Sequence, residues 1–333
     1  MLVSRNDLVS IGITTYDRSE LLSEAISSVA KQSHRNIEVI IGNDNPSRFL
    51  TFDDLGINAD PRIRIVNHQK NLGELSNLNW LLSHAKGQFF TWLADDDLIH
   101  SQHIEILAKG LNSNENVVAS FTGYTSNLSE FSKIENTSTA EIEFTAFSTK
   151  DFIANYSSRD IKIVGCYGLF QRNQLLLAGG FKQLGEGFSP YSDTLIPVLM
   201  SKIGQIAVSS HPTAFFRSHS GSMSNTFTDL DSYLTAESDF IENIWPAISG
   251  FPEVHSERIL LNFSSWFRDN HLTLISRSKA STLANDILAF MHTSKVNRVL
   301  FLKYNLRIKN CYVSSILTFV KHRVRVRLNF MKG

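Results

Sequence analysis

The sequence predicts an α/β protein in which a mostly parallel sheet is flanked by helices. Short apolar runs rich in Val and Ile alternate with segments whose apolar residues recur at helical spacing. Such alternation is typical of strand–helix–strand units and therefore of a parallel sheet. Polar and acidic residues directly follow several of these runs, and from about residue 229 onward the pattern becomes mostly helical.

The predicted strands are the short apolar runs. The first covers 8–14, and Ser19 is placed to cap a helix whose apolar residues recur at helical spacing, namely Leu22, Ala25, Ile26 and Val29. Further strands are expected at 37–41, 63–66, 88–93 and 117–124, with helices at 72–84 and 102–111. The polar segment 125–143 breaks the alternation, so it is expected to form a loop or an excursion over the sheet.

Composition narrows the class of protein. Of 333 residues, 42% are apolar, which is ample for a packed core, and the formal net charge of zero provides no global field that would attract nucleic acid.

Cys166 and Cys311 lie far apart and outside any C-x-x-C pair, which argues against a disulfide framework and a thiolate zinc site. The start has no signal-peptide layout and no apolar run reaches about 18 residues, so we expect a cytoplasmic protein.

Three common motifs are missing from the sequence. No G-x-G-x-x-G follows the first strand, no G-x-x-x-x-G-K-[ST] occurs, and no G-x-S-x-G occurs. These absences argue against a dinucleotide-binding domain, a P-loop and the nucleophile elbow of α/β-hydrolases, respectively.

The polar residues that follow the strands are the best candidates for a binding site. In open α/β sheets, ligands bind beyond the carboxyl ends of the strands. Those positions hold carboxylates, an aromatic ring and small amides, in the segments 15–17, 44–45, 67–73 and 95–97. Because these segments all follow strands of one predicted sheet, we expect them to meet at one edge.

The sharpest of these features is the triplet Asp95-Asp96-Asp97, which follows the apolar run 89–93. Three adjacent carboxylates repel one another, and a hard divalent cation such as Mg²⁺ or Mn²⁺ would relieve that repulsion. These ions are typically held by one or two carboxylates together with substrate phosphates. The alternative is a solvated acidic turn that caps the following helix.

A series of short motifs resembles glycosyltransferase family 2, whose members have the GT-A fold. In the first half they are a strand leading into 13–16, an acidic turn at 41–45, the Asn71-Leu72-Gly73 segment with Asn77, and a strand leading into 92–97. Downstream they are Gly179-Gly180-Phe181, Asp193 before a helix, and Arg217-Ser218-His219. The resemblance covers about residues 8–225, and the order and spacing of the motifs are more specific than any one of them.

Two positions depart from the family pattern. Many relatives carry Asp-x-Asp-Asp at the metal motif, whereas here Ala94 stands where the first Asp would fall, so Asp96 and Asp97 match the final pair. The second turn has Asn43-Asp44 where paired Asp is common, which leaves Asp44 alone to contact the base.

The resemblance implies a role for each matching residue. Nucleotide binding is assigned to Thr14, Tyr16, Asp44, Asn71, Asp95 and Asp96. In this assignment Tyr16 stacks on the base and Asp44 accepts a hydrogen bond from it; the alternatives are a buried ring and an Asx-turn. A Mn²⁺ or Mg²⁺ cofactor is assigned to Asp97, Asp96 and His219, and it would neutralise the diphosphate leaving group.

The resemblance also implies an inverting displacement in which Asp193 is the general base that takes the proton of the acceptor hydroxyl. The alternative is an acid that the helix dipole favours at a helix N-terminus. Arg217 and His219 are assigned to the donor diphosphate. As residues of a strand the two would share one face, and simple surface exposure is the alternative.

The chain is expected to divide near residue 225. A GT-A domain at 1–225 would have a nucleotide-sugar half at 1–124 and an acceptor half at 125–225, followed by a helical region at 226–333. From Phe301 onward there are eight Lys or Arg residues and no Asp or Glu. This basic and apolar tail favours contact with an anionic membrane surface. A solvated basic helix, or contact with another subunit in an oligomer, is the alternative.

These inferences predict an enzyme that moves a sugar from a nucleotide-diphosphate-sugar donor, with a UDP-sugar expected first, to a hydroxyl of a glycan or lipid-linked glycan. By family analogy the setting is bacterial surface polysaccharide synthesis on the inner face of the cell membrane. One alternative is a sugar-1-phosphate nucleotidyltransferase, although the Gly-rich basic loop of that class is missing after the first strand. The other is a non-catalytic glycan-binding protein on the same fold. No nucleic-acid partner is expected.

Overall fold

A computed structural model describes residues 3–134, 141–219, 221–227 and 229–277. Within these residues nine strands form one sheet. The strands are β1 (Val9–Thr15), β2 (Ile37–Asn43), β3 (Ile63–Asn67), β4 (Phe89–Ala94), β5 (Leu98–Ile99), β6 (Val117–Thr125), β7 (Thr145–Phe147), β8 (Gly168–Gln171) and β9 (Gln205–Phe215).

Helices cover both faces of this sheet. They are α1 (Ser19–Ala30), α2 (Glu74–His84), α3 (His103–Leu111), α4 (Leu128–Ile134), α5 (Thr149–Ser157), α6 (Arg172–Leu177), α7 (Ser192–Ser201), α8 (Met223–Thr226), α9 (Leu230–Ile248) and α10 (Glu253–Arg277). A 3-10 turn covers Gly165–Tyr167. The α/β class, and the strands and helices expected up to residue 124, are confirmed to within two residues at each end. The segment expected to be a loop or excursion at 125–143 contains α4.

The sheet is parallel in its first half and mixed in its second. Its order is β3-β2-β1-β4-β8-β6-β9-β5, and β7 pairs with β9 off this path. Strands β3, β2, β1 and β4 run parallel, whereas β8 lies antiparallel to both of its neighbours, β4 and β6. The expectation of a mostly parallel sheet therefore holds for the half that precedes residue 95, and β8 interrupts it.

Each face of the sheet carries its own hydrophobic cluster. One cluster joins alternate residues of β1, such as Val9 and Ile13, to the buried faces of α1 and α3. The other joins the opposite face to α2, α7, α9 and α10, and its aromatic members include Phe240, Phe263 and Phe267, which are fully buried. Much of the large phenylalanine content therefore forms core.

A close contact between β2 and α2 places the N-terminus of α2 at the carboxyl edge of the sheet. The buried side chain of Asn77 donates to the Gly42 carbonyl at 2.8 Å and shares a hydrogen bond with His68 Nε2 at 2.9 Å. A Cβ atom at Gly42 would collide with the Asn77 amide, so only glycine allows this approach.

The described elements that follow Met223 are all helical, and they share a core with the sheet. Tyr191, next to α7, packs its ring against Phe240 of α9 and Phe267 of α10. None of the helices in the described ranges combines the length and the hydropathy needed to cross a bilayer. The basic tail from residue 301 lies outside the described residues.

Candidate active site

The ends of β1 and β4 form an acidic corner, here defined as Asp95, Asp96 and Asp97. The two strands are paired in parallel up to Thr14 and Ala94, so the residues after them are neighbours. The Thr15 hydroxyl donates to Asp95 Oδ2 at 2.7 Å, and Arg18 Nη1 contacts both Asp95 Oδ1 and Asp96 Oδ2 at 3.1 Å. Arg18 thereby offsets part of the repulsion between these two carboxylates.

Asp97 has different hydrogen-bond partners from the other two carboxylates of the acidic corner. It is only 2% exposed. The Tyr167 hydroxyl donates to Oδ2 at 2.6 Å, and the backbone amide of Arg217 donates to Oδ1 at 2.8 Å. Burial, and then the charge of Asp96, raises the pKa of Asp97 to about 7, while both hydrogen bonds act in the opposite direction.

The segment after β9 brings His219 to the acidic corner but separates it from Arg217. His219 Nε2 shares a hydrogen bond with Asp96 Oδ2 at 3.0 Å. The Arg217 guanidinium pairs instead with Glu24 of α1 at 2.6 Å. The shared strand face considered for these two residues is not formed, because β9 ends at Phe215 and the Arg217 amide bonds to the Asp97 carboxylate.

The end of β2 holds the turn before α2. Asp44 is buried, and its two oxygens accept hydrogen bonds from the amides of Leu72 and Gly73, both at 2.8 Å. The exposed Asn71 side chain also accepts a bond from the Gly73 amide at 2.8 Å. Asp44 therefore holds this loop, while each of its oxygens keeps a second lone pair for a ligand.

A shallow depression lies beside the acidic corner. It is lined by Thr15, Asp17, Arg18, Ser19, Leu22, Asn43, Arg48 and Leu50. Asp17 has a left-handed backbone with φ of 58° and pairs with Arg48. The neighbouring Tyr16 is 53% exposed, so its ring is open to a ligand rather than buried, and Thr14 is half-buried.

Asp193 occupies the first turn of α7. Its Oδ1 accepts a hydrogen bond from the Thr194 amide at 2.7 Å. Burial raises the pKa of Asp193, and the bonds from Thr194 act in the opposite direction. The Tyr124 ring at the end of β6 is 40% exposed and lies close enough for the Asp193 charge to raise the pKa of its hydroxyl, after the larger effect of burial.

Glu74, the first residue of α2, is a further candidate site residue that the sequence pattern did not single out. Desolvation, followed by the charges of Asp193, Asp95 and Asp96, raises its pKa to about 7, and Arg18 opposes this. Asp193, Asp95 and Asp96 therefore lie near enough to Glu74 for their charges to act on it. The signal in the sequence was the position of Glu74 directly after Asn71-Leu72-Gly73, at a strand-to-helix junction on the ligand-binding edge.

The residues fit a cation whose coordination is completed by a substrate. Within the described ranges, no three Asp, Glu, His or Cys side chains converge as a ready metal site. Asp96 and His219 are in contact and partly accessible, whereas both oxygens of Asp97 already accept hydrogen bonds. Mg²⁺ and Mn²⁺ commonly take one or two protein ligands and several phosphate oxygens.

Comparison with known proteins agrees with this arrangement. The family model for Glycosyl transferase family 2 matches residues 10–172. The chain is 34% identical over 119 residues to an uncharacterized glycosyltransferase of Rickettsia bellii, covering 35% of this chain and 17% of that protein. It is 31% identical over 99 residues to the Escherichia coli UDP-Glc:alpha-D-GlcNAc-diphosphoundecaprenol beta-1,3-glucosyltransferase WfgD, covering 30% of this chain and 39% of that protein. The matched segments thus span well under two thirds of these relatives.

Among solved structures, a fragment of S. aureus TarS in complex with UDP-GlcNAc superimposes with a TM-score of 0.56. The identity is 16%, and the match covers 92% of this chain and 81% of that one. The fold is therefore similar to that of GT-A glycosyltransferases. The matched family model covers just under half of the chain, and these likenesses support a family 2 glycosyltransferase.

Proposed function

We propose that this protein transfers a sugar from a nucleotide-diphosphate-sugar donor to a hydroxyl of a glycan or lipid-linked glycan, with inversion at the anomeric carbon. The observation that carries the proposal is that Asp193, Asp95 and Asp96 lie near enough to Glu74 for their charges to act on it. These groups come from two helix N-termini and from the end of β4, at the sheet edge where this class of fold binds ligands.

Asp193 is the proposed general base. It takes the proton from the acceptor hydroxyl while the acceptor oxygen forms a bond to the anomeric carbon. The bond from that carbon to the diphosphate breaks at the same time, and the nucleoside diphosphate leaves with the electron pair. Attack opposite the leaving group inverts the configuration. Burial raises the pKa of Asp193, which makes it a stronger base than a solvated aspartate. The exposed ring of Tyr124 lies on this acceptor side.

The acidic corner and the depression beside it are the proposed donor side. The exposed ring of Tyr16 offers a surface for the base, and Asp44 with Asn71 fixes the loop next to it. Asp96 and His219 would hold Mn²⁺ or Mg²⁺, which when bound supplies positive charge to the departing diphosphate. Arg18 places a permanent positive charge at the same corner.

The names of similar proteins support a UDP-sugar and a surface-polysaccharide setting. WfgD is named for a UDP-Glc donor and a diphosphoundecaprenol-linked acceptor, and TarS was crystallised with UDP-GlcNAc. We carry the donor class and a lipid-linked acceptor over to this chain as part of the proposal. A cytoplasmic location with peripheral membrane contact rests on the basic tail sequence, and co-sedimentation with anionic vesicles tests it.

A thermal-shift screen of nucleoside diphosphates and their sugars, with and without Mn²⁺, tests the proposal. A ligand that binds only the folded state stabilises that state by about 2.7 kcal/mol when its concentration is about 100 times its dissociation constant. We expect UDP or a UDP-sugar to raise the melting temperature more with Mn²⁺ than without it. A folded protein whose melting temperature responds to none of these ligands contradicts the proposal.

Product analysis separates this function from the alternatives. Turnover of a donor should release a nucleoside diphosphate and a sugar or glycoside. Release of pyrophosphate from a nucleoside triphosphate and a sugar phosphate would instead identify a nucleotidyltransferase. Binding without turnover would identify a glycan-binding protein.

The pH dependence of donor turnover is expected to report Asp193. The base acts only when ionised, so turnover is retained above its pKa and falls as the pH drops through that value. Because burial raises this pKa, the fall should lie above the value of about 3.9 for a free aspartate. Rates of donor hydrolysis between pH 4 and 9 measure it, and a rate that stays constant down to about pH 4 would remove Asp193 from this role.

A further inference from the structure

The 3-10 turn Gly165–Tyr167 touches both halves of the proposed chemistry. We infer that this turn is a spacer that sets the separation between Asp193 and the acidic corner, with Gly165 and Tyr167 as positioning residues. The inference rests on the proposed function for its catalytic meaning. The contacts at each end of the turn are the structural observations that support it.

One end of the spacer turn lies against the helix that carries Asp193. A Cβ atom built on Gly165 would lie 2.5 Å from the Asp193 carbonyl oxygen, 2.6 Å from Ile196 Cγ2 and 3.0 Å from Trp92 Cη2. The backbone of Gly165 does not require a left-handed conformation, so the reason for glycine here is close approach alone. The first turn of α7 therefore rests directly on this backbone.

The other end of the spacer turn holds the acidic corner. Tyr167 is fully buried, and its hydroxyl donates to Asp97 at 2.6 Å. Asp97 in turn accepts the Arg217 amide at 2.8 Å, which begins the segment that delivers His219 to Asp96. Tyr167 therefore acts on the donor side through Asp97.

Cys166, the middle residue, lies between the two ends. Burial raises the pKa of its thiol well above the usual value, and the next contributions come from the charges of Asp97 and then Asp193. Cys166 therefore lies near enough to both carboxylates for their charges to act on its thiol.

The distance between Asp193 and the acidic corner affects the rate of the proposed reaction. The acceptor oxygen must reach Asp193 and the anomeric carbon together, while the diphosphate is held at the corner. Misplacing reacting groups by about 1 Å can lower a rate by about 100-fold. The two ends of the turn therefore predict different kinetic effects, which a purely structural role would not produce.

Steady-state hydrolysis of UDP-GlcNAc and UDP-glucose, with water as acceptor, tests the spacer. We expect Gly165→Ala to lower kcat by about 10- to 100-fold with little change in donor KM, because it displaces the base. We expect Tyr167→Phe, which keeps the buried ring, to raise donor KM by at least about 10-fold, the effect of about 1.4 kcal/mol.

Gly110→Ala is the matched control. Its added Cβ would lie 2.5 Å from the Phe144 ring, a comparable steric conflict on the α3 side of the sheet. It should lower the melting temperature and leave kcat and KM per folded molecule unchanged. If Gly165→Ala and Tyr167→Phe behave like this control, the inference is wrong. If Gly165→Ala does not fold, Tyr167→Phe alone decides.

Alkylation of Cys166 by iodoacetamide provides a readout that needs no donor. In a Cys311→Ser background, Gly165→Ala should raise the alkylation rate several-fold, because α7 is pushed away from the turn, whereas Gly110→Ala should not. A wild type that hydrolyses no sugar nucleotide would contradict the proposed function. Unchanged Cys166 reactivity in Gly165→Ala would contradict the spacer.

Discussion

Asp193→Asn is expected to lower turnover by about 10²- to 10⁴-fold, the usual contribution of a general base. Asparagine keeps the size of the side chain and an oxygen that can accept the Thr194 amide, but it cannot take a proton. Donor affinity should stay within about twofold, because the contacts of the acidic corner do not include this residue. The low-pH fall in the rate profile should also disappear. Donor titrations and single-turnover assays measure the two effects separately.

Asp151→Asn is the control for the alternative interpretation of Asp193. Asp151 is likewise an acid in the first turn of its helix, α5, and it is exposed and far in the chain from the acidic corner. Loss of such a charge costs about 0.3–1 kcal/mol of helix stability through the dipole. Asp151→Asn should therefore show a small fall in melting temperature and keep its turnover. Asp193→Asn should lose turnover without a comparable fall, because burial already disfavours its charge. Equal turnover in the two variants would reduce Asp193 to a helix-terminus acid.

Asp96→Asn is expected to remove the response to the metal ion. A cation that neutralises a leaving diphosphate is worth several kcal/mol in the transition state. Losing about 3 kcal/mol of this transition-state stabilisation lowers the rate by about 100-fold. The variant should also lose the extra rise in melting temperature that Mn²⁺ gives to a bound nucleoside diphosphate. Mn²⁺ titrations monitored by thermal shift and by donor hydrolysis measure both effects.

Asp97→Asn should behave differently from Asp96→Asn, although the two residues are adjacent. The oxygens of Asp97 bond to Tyr167 and to the Arg217 amide, so its replacement should lower the melting temperature while the response to Mn²⁺ persists. If Asp97→Asn abolishes the Mn²⁺ response and Asp96→Asn preserves it, the assignment of the cation to Asp96 and His219 is wrong.

The first half of the fold was predictable because its strands are long apolar runs in a regular alternation. The register of β1 with β4 then brings Thr15 and Asp95 together, so the acidic corner could be expected from the strand ends alone. The second half was not predictable in this way. Strand β8 has four residues, follows a 3-10 turn and runs antiparallel between β4 and β6, and four residues carry too little periodicity to be recognised.

Individual side-chain roles depend on tertiary contacts that the sequence does not encode locally. Glu74 resembles any acid at a helix N-terminus until the contact between Gly42 and Asn77 brings it near the acidic corner. The triplet 95–97 contains three identical residues, yet Arg18 contacts two of them and Tyr167 contacts the third. Arg217 and His219 diverge because a carboxylate, rather than a neighbouring strand, takes the Arg217 amide.

The way the sheet ends has a consequence for solubility. At one side the outermost strand is the five-residue β3, which presents the exposed, charged Arg64. At the other side β9 is flanked by two short strands, β5 with two residues and β7 with three, at different points along its length. Short or charged border strands offer little continuous backbone for another polypeptide to pair with, so a nine-stranded sheet is protected from edge-to-edge aggregation.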